Sequence, residues 1–161
     1  IVFCAFEQMD MVMKEGAKHG LKKSYPIFFL KNFSAQVLKA NMKIVNAMEY
    51  AVVLYRDKLP KFNNDGKMIF NYFEWKKDGG GYPKVHPTQK PVRMLGEVLK
   101  DFTSEGDIVV DVFGGSGSTL IACEQLNRKC YMCELDERYC DVIIERWENL
   151  TGQKAKLIER K

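Results

Sequence analysis

The chain has 161 residues, of which 25 are lysine or arginine and 21 are aspartate or glutamate. This length suffices for one domain with a substantial core, and no apolar run approaches the roughly 20 residues of a membrane span. Five cysteines at irregular spacing are typical of a reduced protein, so we expect a cytoplasmic location and no disulfide framework.

Charge is unevenly distributed along the chain. Residues 1–55 carry seven basic and four acidic side chains, residues 56–90 carry eight and four, and residues 91–161 carry ten and thirteen. The first ninety residues are therefore strongly basic, whereas the remainder is slightly acidic. This asymmetry is compatible with a polyanionic substrate, although most lysines only solvate a surface.

The first part of the chain alternates strands with a helix. Apolar and β-branched runs predict strands over residues 1–6, 25–31 and 48–56. Residues 7–14 are predicted to be helical, with the helix ending near Gly16. A polar loop containing Asn32 and Ser34 follows the second strand.

Residues 57–85 differ in composition from the rest. A turn signal at 63–66 and three glycines at 79–81 enclose a run in which aromatic residues are interleaved with lysines. Aromatic rings can stack on bases while lysines meet phosphates. The alternative is a small hairpin whose aromatic rings pack on the domain, and both interpretations can hold on opposite faces. The candidate nucleic-acid contacts are Lys67, Tyr72, Trp75, Lys76 and Lys77.

Residues 86–91 read His-Pro-Thr-Gln-Lys-Pro, and the two prolines predict an extended loop. Pro91 suits the first turn of an amphipathic helix over residues 92–102. The polar loop can contact a ligand only if it lies over the glycine-rich turn that comes next in the chain. We interpret His86 as a surface loop residue rather than a catalyst.

A strand, a glycine-rich turn and a helix follow in residues 107–120. The apolar run ends at Asp111, three glycines stand at positions 114, 115 and 117, and a helical pattern continues to about Asn127. Such a short β-branched run is typical of a strand buried on both faces. Glycines bring bare backbone against a ligand, and the next helix offers free amides. These features predict a nucleotide-type pocket.

Spacing excludes three familiar motifs at this turn. No lysine lies between Lys100 and Lys129, which rules out a P-loop. Ser116 lacks the glycine two places later that a hydrolase elbow needs, and Leu120 stands where a dinucleotide fingerprint needs glycine or alanine. The next apolar run ends at Glu134, whose carboxylate could accept both ribose hydroxyls. An adenosine-containing ligand is therefore predicted.

The C-terminal part completes the predicted fold. Asp136 is expected to cap a last helix that ends near Gly152. Cys130 and Cys133 are spaced like a metal or redox pair, but residues three apart on a strand point to opposite faces, so we interpret them as buried core thiols and expect no metal. Alternating strands and helices predict an α/β, mostly parallel, doubly wound fold with ligands at the carboxyl ends of its strands.

Two motifs together resemble a known family. The segment at 86–91, followed by Asp-Val-Phe-Gly-Gly-Ser-Gly-Ser-Thr at 111–119, closely resembles the DNA amino-methyltransferases of the permuted β group. Shorter segments in the first fifty residues are similar to that family's strands, so the resemblance covers essentially the whole chain. It implies a Rossmann-like, circularly permuted methyltransferase domain over residues 1–161. In that domain, residues 1–56 belong to the catalytic half, residues 57–85 form a short target-recognition segment, and residues 86–161 form the S-adenosylmethionine half.

The resemblance also implies residue roles. The polar loop would close over the cofactor, and the cation of Lys90 would suit the cofactor's carboxylate. The glycine-rich turn and the start of the next helix would shape the pocket. Glu134 would hold the ribose hydroxyls. The residues with these roles are Thr88, Gln89, Lys90, Asp111, Phe113, Gly115, Gly117, Ser118, Thr119 and Glu134. The cofactor would leave as S-adenosylhomocysteine. The target base would be flipped out of duplex DNA, because the duplex hides its amino group.

The family's catalytic motif is absent from these 161 residues. That motif is Asp, Asn or Ser followed by Pro-Pro and an aromatic residue, and the sequence contains no Pro-Pro. In the family it positions the target amine for in-line attack on the sulfonium methyl, and it lies just upstream of the strand that begins here at Ile1. We therefore expect the chain to be the C-terminal portion of a longer enzyme, inactive alone, and we assign no catalytic residue.

Three functions stay open. The favoured one is methyl transfer from S-adenosylmethionine to adenine N6 or cytosine N4 in duplex DNA, in an enzyme that could have a restriction endonuclease as partner. The second is a catalytically silent fragment or paralogue that binds the cofactor or DNA. The third is a methyltransferase for RNA or a small molecule. The target base, recognition sequence and oligomeric state cannot be read from the sequence.

Overall fold

A computed structural model describes residues 1–32, 36–59, 62–76, 85–86 and 88–158. The chain divides into two compact units, Ile1–Lys76 and Lys77–Lys161, here called unit 1 and unit 2. The single domain predicted from the sequence stays a prediction. Lys77 and the glycines at 79–81 lie outside the described residues, as do Ser34 and the proline at position 87.

Unit 1 is built on a four-stranded sheet. Its strands in chain order are β1 (Val2–Cys4), β2 (Lys23–Lys31), β3 (Gln36–Lys39), β4 (Ile44–Asn46), β5 (Met48–Tyr55) and β6 (Tyr72–Trp75). The sheet has the order β1-β5-β2-β6, while β3 and β4 pair only with each other in a second, two-stranded sheet. β5 is antiparallel to β1 and β2, and β6 is parallel to β2, so three of the four strands share one direction.

The core of unit 1 lies on the central strands β2 and β5. Ile27, Phe29 and Val52 are buried there, and the Phe29 ring lies 4.8 Å from Phe3 and 5.7 Å from Phe73 between centroids. Such aromatic pairs add packing energy beyond the area they bury. The β-branched and aromatic runs that predicted these strands therefore supply the core itself.

Gly16 does not end the first helix, contrary to the prediction. Helix α1 (Met9–Lys18) continues past it, and the chain turns at Gly20, whose φ is +84°. A Cβ at Gly16 would lie 2.9 Å from Leu54 Cδ1, so glycine serves there for close packing on β5. Tertiary contact overrides the helix-breaking tendency of glycine at this position.

Two further expectations for unit 1 need correction. Residues 36–46 form the β3–β4 hairpin, for which the sequence analysis predicted no element. The described residues of the aromatic segment after β5 form no hairpin, because β6 joins the main sheet beside β2. The hairpin strands are only four and three residues long, too short for a periodic signal.

Unit 2 alternates helices with a parallel pair of strands. Its elements are α2 (Val92–Phe102), β7 (Ile108–Asp111), α3 (Ser118–Gln125), β8 (Lys129–Met132) and α4 (Glu137–Thr151). β7 and β8 are parallel, with Asp111 opposite Met132. As predicted, Asp136 caps α4 by accepting from the Arg138 amide at 3.0 Å, and Gly152 ends it with a φ of +69°.

The prediction that β7 is buried on both faces is wrong in the described structure. Ile108 and Val110 are largely exposed, whereas the alternate residues Val109 and Asp111 are half-buried. The covered side of unit 2 contains the buried stripe of α2 and residues 121–123 of α3. No helix of the described residues is long and apolar enough to cross a membrane.

Candidate functional site

The glycine turn, residues 112–117, joins β7 to α3. Its first bond runs from the Phe113 amide to Asp111 Oδ1 at 3.1 Å, and the Gly117 amide donates to the Gly114 carbonyl at 2.8 Å. Gly115 and Gly117 have φ values of +53° and +76°, in the left-handed region that side chains disfavour. The turn that the sequence predicted is therefore present, with glycine where the backbone requires it.

Backbone bonds tie the glycine turn to the end of β8. The Cys133 amide donates to the Asp111 carbonyl at 2.9 Å, and the Gly114 amide donates to the Cys133 carbonyl at 2.8 Å. A Cβ at Gly114 would lie 2.7 Å from Met132 Cγ and Sδ. Since real Cβ contacts are almost never that short, glycine allows the two strand ends to approach.

Glu134 completes this link with its side chain. Its Oε2 accepts from the Gly115 amide at 2.6 Å, and its Oε1 accepts from the Leu135 and Asp136 amides at 2.8 and 2.9 Å. These bonds, that from Asp136 foremost and then that from Gly115, lower the pKa of Glu134. The carboxylate is therefore ionised at neutral pH and acts only as an acceptor. The acid predicted to hold hydroxyls thus lies against the glycine turn.

The start of α3 faces the same turn. The first bond of the helix runs from the Ile121 amide to the Gly117 carbonyl at 3.0 Å. The amides of Ser118 and Thr119 come earlier in the chain than this first helical bond. They therefore belong to the first turn of the helix, whose amides have no acceptor within the helix. Ser118 itself is buried, whereas Phe113 is 87% exposed.

The polar loop packs on α4. The Thr88 amide and hydroxyl both lie 3.1 Å from His86 Nδ1, and Gln89 Oε1 accepts from the Val85 amide at 3.0 Å. The His86 ring lies 4.4 Å from the Tyr139 ring, in the first turn of α4. His86 therefore anchors the loop near the chain that follows Glu134, which goes beyond the surface role predicted for it. Lys90 is half-buried in the same loop.

Arg146 is a site residue that the sequence analysis missed. Its Nη1 donates to the Ser116 carbonyl and lies 3.5 Å from Ser118 Oγ, so α4 holds the glycine turn by a contact separate from that of Glu134. Ile143, one turn earlier on α4, also touches the turn, since a Cβ at Gly117 would lie 3.0 Å from Ile143 Cγ1. The available signal was a cation on the apolar stripe of α4.

The candidate nucleic-acid contacts are distributed over two faces of β6. Trp75 is only 6% exposed and packs against Phe29, with the Lys31 ammonium 5.2 Å from its ring. It therefore belongs to the core, and its prediction as a base-stacking residue was wrong. Tyr72 is 41% exposed and stacks on Phe70 at 5.5 Å. One face of this segment therefore packs on the domain, as the alternative interpretation expected, and nucleic-acid contact by the exposed face stays a prediction.

The three candidate lysines differ in position. Lys67 lies five residues before β6 begins, whereas Lys76 directly follows the strand. Both are exposed, and Lys76 pairs with Glu74 at 2.5 Å. Lys77 lies outside the described residues.

The cysteine prediction is correct only in part. Cys130 is half-buried, but Cys133 is exposed, because β8 ends at Met132 and the chain there turns toward Glu134. Cys123 of α3 is buried and its thiol is hydrogen-bonded to that of Cys130, which raises the pKa of Cys130. Within the described ranges no group of three or more His, Cys, Asp or Glu residues could hold a metal ion.

This geometry agrees with what sequence comparison finds. The family described as DNA methylase, N6_N4_Mtase, matches residues 6–145, and the chain belongs to this family. The resemblance drawn from the two motifs is confirmed. S-adenosylmethionine is the family's methyl donor.

Two curated relatives illustrate how much of such proteins the chain represents. It is 28% identical over 139 residues to the putative methylase YubD of Escherichia coli K12, covering 86% of this chain and 57% of that protein. It is 37% identical over 83 residues to the type II methyltransferase M.BamHI of Bacillus amyloliquefaciens, covering 47% of this chain and 19% of that protein. The chain thus spans little more than half of the first relative and less of the second.

Solved structures confirm the predicted fold class. The complex of M1.HpyAVI with SAM matches with a TM-score of 0.77 at 23% identity, over 90% of this chain and 72% of that one. The cytosine-N4-specific PvuII DNA methyltransferase matches with a TM-score of 0.60 at 18% identity, over 80% and 57%. The fold is that of S-adenosylmethionine-dependent methyltransferases.

Proposed function

We propose that the chain binds S-adenosylmethionine at the glycine turn and belongs to an enzyme that methylates an exocyclic amino group in duplex DNA. One observation carries the proposal: the carboxylate of Glu134 meets the amide of Gly115 at 2.6 Å, at the carboxyl ends of two parallel strands. Ligands of open α/β sheets bind at this edge. Family membership supplies the reaction class.

The residues present fit this cofactor. An ionised Glu134 has about four acceptor positions and uses three for amides, so it can still accept from a ribose hydroxyl. Apart from its chain neighbours, no described residue has an atom within 4 Å of the position that a Cβ would take at Gly115, so the bare backbone there is open among these residues. The helix start at Ser118 and Thr119 adds amide donors, and the cation of Lys90 suits the cofactor's carboxylate.

When bound, S-adenosylmethionine supplies an electrophilic methyl group on a sulfonium. The chain's own residues contribute binding and orientation. Glu134 holds the ribose, the backbone at Gly115 and Gly117 shapes the pocket, and Asp111 fixes the turn through its bond with the Phe113 amide. Holding reactants in line is the larger part of such catalysis, so a fixed turn serves the reaction directly.

Duplex DNA is the proposed substrate. The first ninety residues are strongly basic, and exposed Tyr72 and Lys76 lie in unit 1, where stacking and phosphate contacts can combine. Curated relatives named as type II methyltransferases support a DNA target and a partner endonuclease. The target is adenine N6 or cytosine N4.

Isothermal titration calorimetry with S-adenosylmethionine tests cofactor binding. Glu134→Ala removes the predicted ribose acceptor and the Gly115 link, so we expect affinity to fall at least about tenfold. Glu137→Gln is the matched control, because Glu137 is an exposed acid three residues away, and its affinity should equal that of the unmodified chain. Absence of binding by the folded, unmodified chain, or equal affinities for Glu134→Ala and the control, would refute the proposal.

The second candidate function is a chain that binds the cofactor or DNA without transferring methyl, and the absence of Pro-Pro from these 161 residues favours it. For the favoured function, we propose that these 161 residues alone do not catalyse transfer and that a polypeptide also carrying the Pro-Pro-aromatic motif does. Transfer of radiolabelled methyl to duplex DNA by both polypeptides separates the candidates. Activity of the 161 residues alone would contradict this part of the proposal, and inactivity of the longer polypeptide would favour the silent binder. If RNA competed for binding to the chain more strongly than duplex DNA did, an RNA methyltransferase would be favoured instead.

A further inference from the structure

The β3–β4 hairpin, residues 36–46, exposes several apolar side chains of unit 1. Val37 and Val45 lie opposite each other in its register, and a bulge between Val37 and Lys39 interrupts the pairing at Leu38. Leu38 is 58% exposed and Met42, in the turn, is 70% exposed. Single apolar residues on a surface are ordinary, but several on one short hairpin suit an interaction site.

The turn of this hairpin is locally defined. A 3-10 turn over Ala40–Met42 connects the strands, and the Lys43 amide donates to the Ala40 carbonyl at 3.1 Å. Lys43 has a φ of +56°, which a non-glycine residue adopts at some cost in energy. The backbone thus presents Met42 and Lys43 at the tip.

The sequence on either side of the hairpin carries charge of one sign from residue 16 to residue 48. No Asp or Glu occurs between Glu15 and Glu49, and that interval contains six lysines. Two of them, Lys39 and Lys43, belong to the hairpin, and neither pairs with a carboxylate among the described residues. Two lysines on one exposed hairpin, neither of them paired with a carboxylate among the described residues, favour a polyanionic partner.

Topology places the hairpin at the ligand edge of its sheet. β1, β2 and β6 run in one direction, and the hairpin leaves the carboxyl end of β2 before the chain returns in β5. Lys76 follows the carboxyl end of β6 at the same edge, whereas Lys67 comes before the opposite end. Open α/β sheets bind ligands outside the carboxyl ends of their strands.

We propose that the β3–β4 hairpin is a duplex-DNA contact element, an inference that rests on the proposed function. Lys39 and Lys43 contact backbone phosphates, and Met42 at the tip packs between bases as an apolar wedge. Methionine and leucine serve as such wedges in proteins that unstack DNA. A wedge suits an enzyme that must flip a base, because the apolar side chain fills space in the opened stack.

The phosphate part is tested by the salt dependence of binding. Fluorescence anisotropy with a labelled mixed-sequence duplex is measured for the unmodified chain and for Lys39→Gln/Lys43→Gln over a series of salt concentrations. Loss of two phosphate contacts should reduce the slope of log K against log salt by about 1.8. The matched control is Lys14→Gln/Lys18→Gln in α1, where both lysines already pair with acids, and its slope should not change.

The wedge is tested by Met42→Ser on a duplex that contains 2-aminopurine. The unmodified chain should raise 2-aminopurine fluorescence by unstacking the base, and Met42→Ser should lose most of this rise while keeping the salt slope. Circular dichroism verifies that each variant is folded, and calorimetry verifies that each keeps its affinity for S-adenosylmethionine.

Other outcomes would overturn the proposal. An unchanged slope for Lys39→Gln/Lys43→Gln refutes the hairpin contact while leaving the proposed function intact. A change of oligomeric state by light scattering, with DNA affinity unchanged, would identify the hairpin as a contact between copies. Failure of the unmodified chain to bind any duplex, with cofactor binding retained, would refute the DNA substrate and this inference together.

Discussion

The glycine turn of unit 2 and the β3–β4 hairpin of unit 1 both follow the carboxyl end of a strand, yet they are held differently. The turn is bonded to other elements, at Cys133 and Glu134 after β8 and at Arg146 on α4. The hairpin is held by its own strand pairing, by the bond between Lys43 and Ala40, and by the Met48 amide of β5, which donates to Asn46 Oδ1 at 2.9 Å. Among the described residues, the turn is bonded to two other elements, whereas most hydrogen bonds of the hairpin lie within it.

This difference matches the ligands that we propose for them. A small cofactor gains affinity when its site is fixed before binding, because little ordering entropy remains to be lost. A polymer of varying shape is better met by an exposed element that can adjust, and an isolated two-stranded ribbon is only marginally stable by itself. Substitutions should therefore be costly in the turn and nearly neutral for folding in the hairpin.

The largest expected effect is that of Gly117→Ala. The substitution forces a side chain into a φ of +76° and places its Cβ 3.0 Å from Ile143, so we expect a loss of about 2–4 kcal/mol in the free energy of unfolding. Urea denaturation measures it. Gly152→Ala is the control, because its φ is +69° with no atom within 4 Å, and it should lose only about 1–2 kcal/mol. Equal losses would mean that α4 does not brace the turn.

Arg146→Met should have the next largest effect. It removes the bond to the Ser116 carbonyl, and a charged hydrogen bond of this kind contributes about 1.5–3 kcal/mol. We expect both stability and cofactor affinity to fall, and Arg146→Lys to recover part of the affinity. Arg93→Met, an exposed arginine of α2, is the control and should change neither. Loss of stability without loss of affinity would give Arg146 a purely structural role.

Lowering the pH should break the bond between Glu134 and the Gly115 amide and leave the hairpin unchanged. The pKa of Glu134 is lowered from its usual 4.5 by the Asp136 and Gly115 amides, so the bond to Gly115 is present above that value and is lost as pH falls through the lower pKa of the folded state. The Gly115 amide resonance should shift only in that acidic range. The hairpin contains no acid or histidine, and its Met42 and Lys43 amides should not titrate there. A shift of the Gly115 resonance near neutral pH would contradict this assignment.

The sequence predicted the turn better than the hairpin, for physical reasons. Glycines and a strand-end acid are local signals, so Gly115, Gly117 and Glu134 could be placed together from spacing alone. Arg146 could not, because its contact with Ser116 spans thirty residues and depends on how α4 packs. The prediction for Gly16 was wrong for the same reason, since its role depends on Leu54.

The aromatic segment shows an intermediate case. Alternation along β6 is visible in the sequence, but which face is buried depends on its pairing with β2. Trp75 could therefore be assigned to the core, and Tyr72 to the surface, only with the fold known. The hairpin strands were too short to give any periodic signal.

The smallest expected effect is that of Val45→Thr in the hairpin. Val45 is exposed, so the free energy of unfolding should change by less than about 0.5 kcal/mol. Val52→Thr on β5 is the comparison, because Val52 is fully buried and a hydroxyl placed there costs roughly 1–3 kcal/mol. Thermal denaturation of the two variants measures the difference. A comparable loss at Val45 would show that the hairpin supports the fold of unit 1.

The exposure of Cys133 has a practical consequence for following these events in solution. Of the five cysteines, all of which the structure describes, Cys133 alone is exposed, and it stands between Met132 and Glu134 beside the glycine turn. A thiol-reactive dye should therefore label this position before the others. Its emission would report ligand entry from a single attached fluorophore, without substituting any residue of the chain.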